Sequence, residues 1–332
     1  MTPQHGRQTQ ARAIEHWTNT KSRVLLTKLS IVYRYVHMSS SSTSVTKFTG
    51  RLADSVLLVN FPSEDYHRDI AAQSCSLLKP ILTSPAHYKA SFFANREPTK
   101  AMDFGTLIHT LVLEPATFPT NYAVYTGTGG RKNSEYKDFV KANTSRQVLD
   151  ASEFQVAQIL ADKILNRSVL GRPFGDYVQE GIPEATIYYT DPSTDTRCRV
   201  RIDLLHPEIR FDLKTTSYID RRAWVRHALD LDYDLQAYMY SLACSLFYGE
   251  TTPKPFIFVT AESAAPHSVS AFTAGNSFIE EGSKKYREAL VTFAACSSTD
   301  HWPDAGSEEI VEIEHWQQRP SSPAWRANLP RT

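Results

Sequence analysis

Two segments on either side of Pro207-Glu208 constrain this chain more than any others. Arg197 to Leu205 (RCRVRIDLL) alternates basic and apolar residues, the period-two pattern of a strand with one wet face. Ile209 to Lys214 (IRFDLK) continues after the Pro-Glu turn, so the pair reads as an antiparallel hairpin. Asp203 lies on the first strand and Asp212-Leu213-Lys214 on the second. In such a hairpin both carboxylates can project at one end, Lys214 shares the face of Asp212, and Leu213 points into the core. Hard carboxylate oxygens suit a divalent cation that polarises a phosphoryl oxygen and activates water, with an ammonium nearby to offset developing charge. Taken alone, the spacing favours a plain solvated hairpin, because Asp and Lys are common at strand ends.

The surrounding helices change that balance. Ser74 to Leu82 (SCSLLKPIL) reads as a helix, and Ser84-Pro85 opens another that carries Tyr88. A stronger helix begins near Asp103 and Phe104 and stops at Glu114-Pro115. Its Gly105-Thr-Leu-Ile-His109 stretch places a histidine on an apolar helix, where a satisfied core histidine is the ordinary occupant. Gly127 to Gly130 is a loop too loosely arranged to cradle phosphate. Ala151 to Val169 carries apolar residues at helical spacing. Ala185 to Tyr189 (ATIYY) is a strand, and Asp191 to Asp195 a turn. Arg221 to Tyr248 reads as one long helix, with Gln236 and Tyr240 on a shared face; by themselves these two are ordinary packing. A strand at Pro255 to Thr260 and a helix from Asn276 to Cys296, capped by Asn276 or Ser277, follow. Helices, a strand meander and more helices predict an α+β or α/β core.

Composition sets limits rather than a function. With 332 residues, 41% of them hydrophobic and 22% charged, collagen-like, coiled-coil and wholly disordered folds are excluded. The 36 basic and 36 acidic residues cancel, but unevenly. Residues 1–51 hold eight Lys/Arg and a single acid, which leaves 28 basic and 35 acidic residues beyond them, a net charge of −7. Residues 1–60 are accordingly expected to be a basic, disordered leader. It is read either as an arm that touches DNA, as a transit segment, or as sequence upstream of a true start at Met38. The four cysteines, Cys75, Cys198, Cys244 and Cys296, are scattered without a CxxC pair, so neither a zinc ribbon nor an iron–sulfur cluster is expected. Sparse thiols and the lack of a long apolar run predict a cytoplasmic protein with no membrane partner.

The order G-x-x-x-H, then D…D-x-K, then Q-x-x-x-Y resembles the PD-(D/E)xK nucleases, in particular the RecE-like exodeoxyribonuclease VIII group. More distantly it is similar to the RecB-type nuclease domain and lambda exonuclease. The resemblance covers about residues 60 to 310. It is carried by YHRDIAAQSCSLLKPILTSPAHYKA from Tyr66, AMDFGTLIHTLVLEP from Ala101, CRVRIDLL, FDLKTT and YDLQAYMYSLA. It implies a restriction-endonuclease-like α/β fold, a mixed central sheet flanked by helices with N-terminal helical additions. The domain would span 61–310, with a helical lead-in over 61–175, a catalytic core over 176–300 and a tail at 311–332.

By the same resemblance, His109, Asp203 and Asp212 correspond to metal ligands, with the Leu213 backbone carbonyl as a further one and Glu184 as a candidate additional acid. Lys214 corresponds to the catalytic lysine, and Gln236 and Tyr240 to the pair lining the site. The implied cofactor is Mg²⁺, with Mn²⁺ able to substitute. The implied activity is 5′-to-3′ exonucleolysis of linear duplex DNA in phage or prophage recombination, with a single-strand annealing partner and a ring-like oligomer. An endonuclease, a nuclease module of a repair complex and a non-catalytic DNA-binding subunit remain alternatives. A paired-carboxylate glycosidase leaves Lys214 and His109 without roles. From Thr196 to Arg226 there are eight Lys/Arg against four acids. Arg197, Arg199, Arg201, Arg221 and Arg222 are therefore candidate phosphate contacts.

Overall fold

The structure, a computed structural model, describes residues 44–94, 99–128 and 130–306. The leader up to residue 43, the Met38 start and the tail beyond residue 306 lie outside the described residues. In chain order come β1 (Thr46–Thr49), β2 (Val56–Val59), α1 (Ser63–Arg68), α2 (Cys75–Leu78), α3 (Pro85–Ser91) and α4 (Lys100–Leu113). Next are α5 (Phe118–Asn121), β3 (Tyr122–Tyr125), α6 (Ser134–Ala142), β4 (Gln147–Asp150), α7 (Ala151–Leu165), β5 (Ser168–Val169), β6 (Arg172–Pro173) and α8 (Phe174–Glu180). Then follow β7 (Ile182–Thr190), β8 (Arg197–Leu205), β9 (Arg210–Thr216), α9 (Arg221–Asp230), α10 (Tyr233–Tyr248), β10 (Phe256–Glu262), β11 (Val269–Thr273) and α11 (Asn276–Thr299).

Seven strands form one sheet in the order β1-β2-β7-β8-β9-β10-β11. Its neighbours are antiparallel except β9 and β10, which run parallel and are joined by the α9–α10 crossover. Helices cover both faces, which is why central strands such as β10 (FIFVTAE) are almost wholly buried. On one face Ile187, Val200 and Phe258 pack with Leu235, Met239, Tyr286 and Leu290. On the other Phe211, Leu213 and Val259 pack with Ile108, Val112, Leu160 and Ile164. This is the mixed sheet flanked by helices that the sequence predicts.

Local chemistry accounts for the element boundaries. The Thr99 side chain accepts from the Met102 amide and starts α4, earlier than the apolar pattern suggested. Asp150 and Glu153 form a reciprocal capping box that starts α7. That helix ends at Leu165 rather than Val169, because Ser168 and Val169 turn into the small β5–β6 ladder. The cap of α11 is Gly275, and the helix runs on to Thr299. The predicted Arg221–Tyr248 helix is in fact two helices. Asp232 takes a left-handed conformation, φ 51°, which Asp tolerates better than bulky residues do. Lys285 fixes the bend by pairing with Asp232 at 2.7 Å and Asp234 at 3.1 Å. Gly282 permits this, since a Cβ there would stand 2.0 Å from the Asp234 carbonyl oxygen.

The hairpin of β1 and β2 falls inside the span expected to be leader and adds two strands to the sheet through the pairing of β2 with β7. Its strands alternate in burial but are only four residues long, too short for the pattern to stand out, and the edge strand β11 shows no alternation. All four cysteines are buried free thiols. Among the described residues no helix is long and apolar enough to cross a membrane.

Candidate active site

The hairpin of β8 and β9 pairs only next to its turn, at Leu204↔Phe211 and Leu205↔Arg210. Further along, side chains replace the ladder. The Leu213 amide donates to Asp203 Oδ2 at 2.7 Å, and the Leu213 carbonyl accepts from His109 Nε2 at 2.8 Å. The wedge between the two strands is therefore filled by the Asp203 carboxylate and the His109 ring.

The partner strand is irregular at the same level. Pro183 pairs with Leu204 and Ala185 with Ile202, while Glu184, at φ 50°, drops out of the ladder opposite Asp203. Alternation slips on both strands: Ile182 and Ala185 share one core cluster, as do Ile202 and Leu205. A regular strand would put residues three apart on opposite faces. The slip turns Glu184 and Asp203 toward α4, where His109 Nδ1 lies 4.0 Å from Glu184 Oε1 and 3.8 Å from Asp203 Oδ2.

His109 reaches this point because Gly105, one helical turn earlier, packs closely on β9. A Cβ at Gly105 would stand 3.2 Å from Thr215 Oγ1. With Nε2–H assigned to the Leu213 carbonyl, Nδ1 faces the two carboxylates; a proton there pairs with them, and its loss frees a lone pair, the arrangement of an oriented metal-binding histidine. His109, Glu184 and Asp203 have ligand atoms all within 4.8 Å of one another and could hold a metal ion. The Leu213 carbonyl, expected as a ligand, accepts from His109 with one lone pair and keeps a second.

Asp212, next to Leu213 on β9, turns toward Gln236 of α10 and is fully buried. Its Oδ1 accepts from Lys214 Nζ at 3.0 Å and from Gln236 Nε2 at 2.5 Å. Its Oδ2 is 2.8 Å from the ammonium but out of line for a hydrogen bond, so no donor satisfies it. Lys214 Nζ also lies 4.8 Å from the centre of the Tyr233 ring. Tyr240, one turn beyond Gln236, is buried beneath the acids and packs edge-on against Phe256.

The electrostatics follow from crowding. Burial, reinforced by Asp203, pushes the Asp212 carboxyl up to about 6 despite Lys214. Burial and Glu184 likewise raise Asp203. Burial alone would lower His109, but Asp203 and Glu184 outweigh it and hold the imidazole at about 9. The Lys214 ammonium is similarly held charged by Asp212 and Asp203 against its own burial. Carboxylates that resist ionisation, an unsatisfied buried oxygen and an oxygen–imidazole donor set all fit a hard divalent cation.

Two residues at this site carried no signal in the sequence. Glu114, at the end of α4, has its carboxyl raised by withdrawal from water and by Glu184. Tyr233 opens α10 and covers Lys214. Either could have been found only by placing α4 and α10 against β9.

The basic stretch does not form one patch. Arg199 is 2% exposed, donates to the Asp69 and Ala72 carbonyls and stacks on Tyr66. It is thus a structural cation, not the expected phosphate contact. Arg210 is buried against Glu250. Arg201 lies 3.8 Å from Glu184, donates to the Thr186 hydroxyl and packs on Tyr66, so it positions an acid of the site. Arg197 sits at the far end of β8 and donates to the Asp54 carbonyl at 3.1 Å. Of the five candidates, Arg221 and Arg222 alone are open to solvent, at the start of α9.

A mixed sheet whose split central hairpin carries D…D-x-K, joined by a histidine from the preceding helix, defines the PD-(D/E)xK nuclease-type core. Residues 74–315 match the PDDEXK-like domain of unknown function (DUF3799), and the chain belongs to that family. No curated protein matches it. Among solved structures it is similar to a protein from Eubacterium rectale, provisionally described as an exonuclease, with 13% identity and a TM-score of 0.50. That likeness covers 79% of this chain and 96% of the other, and it concerns the fold.

Proposed function

We propose that this protein is a Mg²⁺-dependent exodeoxyribonuclease that hydrolyses linear double-stranded DNA from a 5′ end. The observation that carries the reading is the His109–Glu184–Asp203 donor cluster set beside the buried Asp212–Lys214 pair. A bound divalent cation would supply Lewis-acid polarisation of the scissile phosphate and a more acidic water. His109, Glu184, Asp203 and the unsatisfied Oδ2 of Asp212 are the groups that would hold it. Lys214, kept charged by Asp212 and Asp203, sets a positive charge where the phosphate gains negative charge. Gln236 fixes the Asp212 carboxylate from α10, and Tyr240 packs behind it.

The polarity, the duplex substrate, the role in phage-type recombination, the annealing partner, the ring-like oligomer and the cytoplasmic setting rest on the resemblance to RecE-like proteins. The exonuclease description of the similar Eubacterium rectale protein supports exonucleolysis and none of these finer points. Digestion of end-labelled linear duplex in Mg²⁺, beside covalently closed circles, tests the proposal. Wild type should shorten the linear DNA from its 5′ ends and spare the circles, and Asp212→Ala and Lys214→Ala should leave both intact. Linearised circles would make it an endonuclease. Intact DNA in Mg²⁺ and Mn²⁺ alike would end the enzymatic reading.

A further inference from the structure

A line of aromatic rings leads outward from Lys214. Tyr233, whose ring centre is 4.8 Å from Lys214 Nζ, is anchored inward by stacking on Phe258 at 5.9 Å. Its outward neighbour is His227 on α9, edge-on at 6.3 Å. His227 in turn meets Tyr218, ring centres 4.7 Å apart and tilted by 46°. Tyr218 lies in the loop after β9, four residues beyond Lys214, and 45% of its surface is exposed. That loop is held by the Tyr218 amide, which donates to Thr216 Oγ1 at 3.0 Å. The exposed cations Arg221 and Arg222 open α9 directly after it.

Burial explains Tyr233, but Tyr218 leaves a ring in water at the end of the strand that holds Asp212 and Lys214. Aromatic faces combined with cations spaced along a backbone are the chemistry that binds unpaired nucleotides, one base per ring. The tilt between Tyr218 and His227 offers a face the size of one base, not the wide flat surface that a terminal base pair needs. We propose that Tyr218, backed by His227, is a stacking shelf for an unpaired base of the strand being cut, with Arg221 and Arg222 on its phosphates. The scissile strand of the duplex thus reaches the acids as a single strand, and a duplex whose 5′ end is already unpaired is the preferred entry. This inference rests on the nuclease reading of the same site.

The test uses the full chain and oligonucleotides carrying 2-aminopurine near the 5′ end, either single-stranded or in a blunt duplex. Binding is followed by fluorescence in Ca²⁺, and cleavage in Mg²⁺. With wild type, the single-stranded probe should be quenched. Tyr218→Ala should lose the quenching and raise KM for the single-stranded end by about 5- to 150-fold, the worth of one base–aromatic stack, with kcat nearly unchanged. Tyr218→Trp should restore both. Wild-type cleavage with Tyr218→Ala within about twofold of it in KM would overturn the shelf and leave the nuclease reading standing. Quenching that depends on Tyr218, without cleavage in any divalent metal, would uphold the shelf and end the nuclease reading. Equal quenching by wild type and Tyr218→Ala, or none by either, would overturn the shelf.

Discussion

Asp191, just past the end of β7, and Asp212, within β9, are both fully buried aspartates of one sheet, and they behave in opposite ways. Asp191, in the turn between β7 and β8, accepts from Ser193 and Thr194 through amides and hydroxyls, from Tyr286 at 2.9 Å and from Arg287 at 3.3 Å. Burial would raise its pKa, but these donors reverse the effect and hold it below the usual carboxylate range. Asp212 has one ammonium and one amide, shares its surroundings with Asp203, and is pushed up to about 6. Burial alone therefore does not separate structure from function; the supply of donors does. A scaffold acid is saturated, whereas a site acid is left short, and the shortage is what a cation can fill.

The largest test of this contrast is Asp212→Asn. On the proposed reading Asp212 helps to hold the cation, and its loss should cost several kcal/mol of transition-state stabilisation, a fall of about a thousandfold or more in cleavage rate. Thermal melting of the metal-free variant should give a Tm close to wild type, because relief of a carboxyl that resists ionisation offsets the loss of a partner for the Lys214 ammonium. A Tm loss as large as that of Asp191→Asn would break the distinction.

Asp191→Asn should do the reverse. It replaces a charged acceptor of six hydrogen bonds, so chemical unfolding should show a loss of about 3 kcal/mol, with the rate per folded molecule unchanged. The pH dependence has a definite sign. A folded-state pKa below the unfolded value contributes stability that is present above about pH 4 and lost as pH falls through the folded pKa. Unfolding curves at pH 6 and pH 3 should therefore differ more for wild type than for Asp191→Asn. Parallel pH dependence in the two proteins would remove Asp191 from the scaffold side of the comparison.

A divalent cation should favour the site's side alone. At a hundredfold excess over Kd, Mg²⁺ or Mn²⁺ should add about 2.7 kcal/mol to folding stability, and chelation should remove it. Asp203→Asn should lose most of that gain, while Asp191→Asn should keep it, measured as the shift in Tm on adding metal. Equal shifts in both variants would place the cation elsewhere.

How much of this was legible in the sequence divides along similar lines. The β8–β9 hairpin, α4 and the Gln236 helix could be read because two-residue and helical periodicities are local. Asp203, Asp212, Lys214 and His109 emerged from spacing and from the likeness that their order carries, and the structure brings them together. What escaped depends on tertiary placement. Arg199 and Arg201 alternate as wet residues should, yet α1 and Tyr66 fold over them. The break at Asp232 needs Lys285 from the last helix, more than fifty residues away in the chain. The slip at Glu184 and Asp203 is a joint property of two strands and leaves no mark in either alone. Glu114 and Tyr233 join the site only because α4 and α10 end beside it.

The smallest test lies between site and scaffold, at Gly105. The glycine of G-x-x-x-H has no positive φ to excuse it; its role is to let α4 approach β9. Alanine there would put a Cβ 3.2 Å from Thr215 Oγ1, so helix or strand must yield by a few tenths of an ångström. Helix propensity alone would favour alanine by about 1 kcal/mol, so the variant should melt no lower than wild type. His109 sits one turn further on, and a misplacement of about 1 Å at a reacting centre costs on the order of a hundredfold. A shift of tenths should therefore slow cleavage by about three- to tenfold. Removing the obstructing hydroxyl in Gly105→Ala/Thr215→Ala should recover most of the rate. Recovery would show that the site needs closer tolerances than the scaffold that carries it. A Gly105→Ala variant as fast as wild type would show instead that α4 has slack, and that His109 is held by its bond to Leu213 rather than by the packing of the helix.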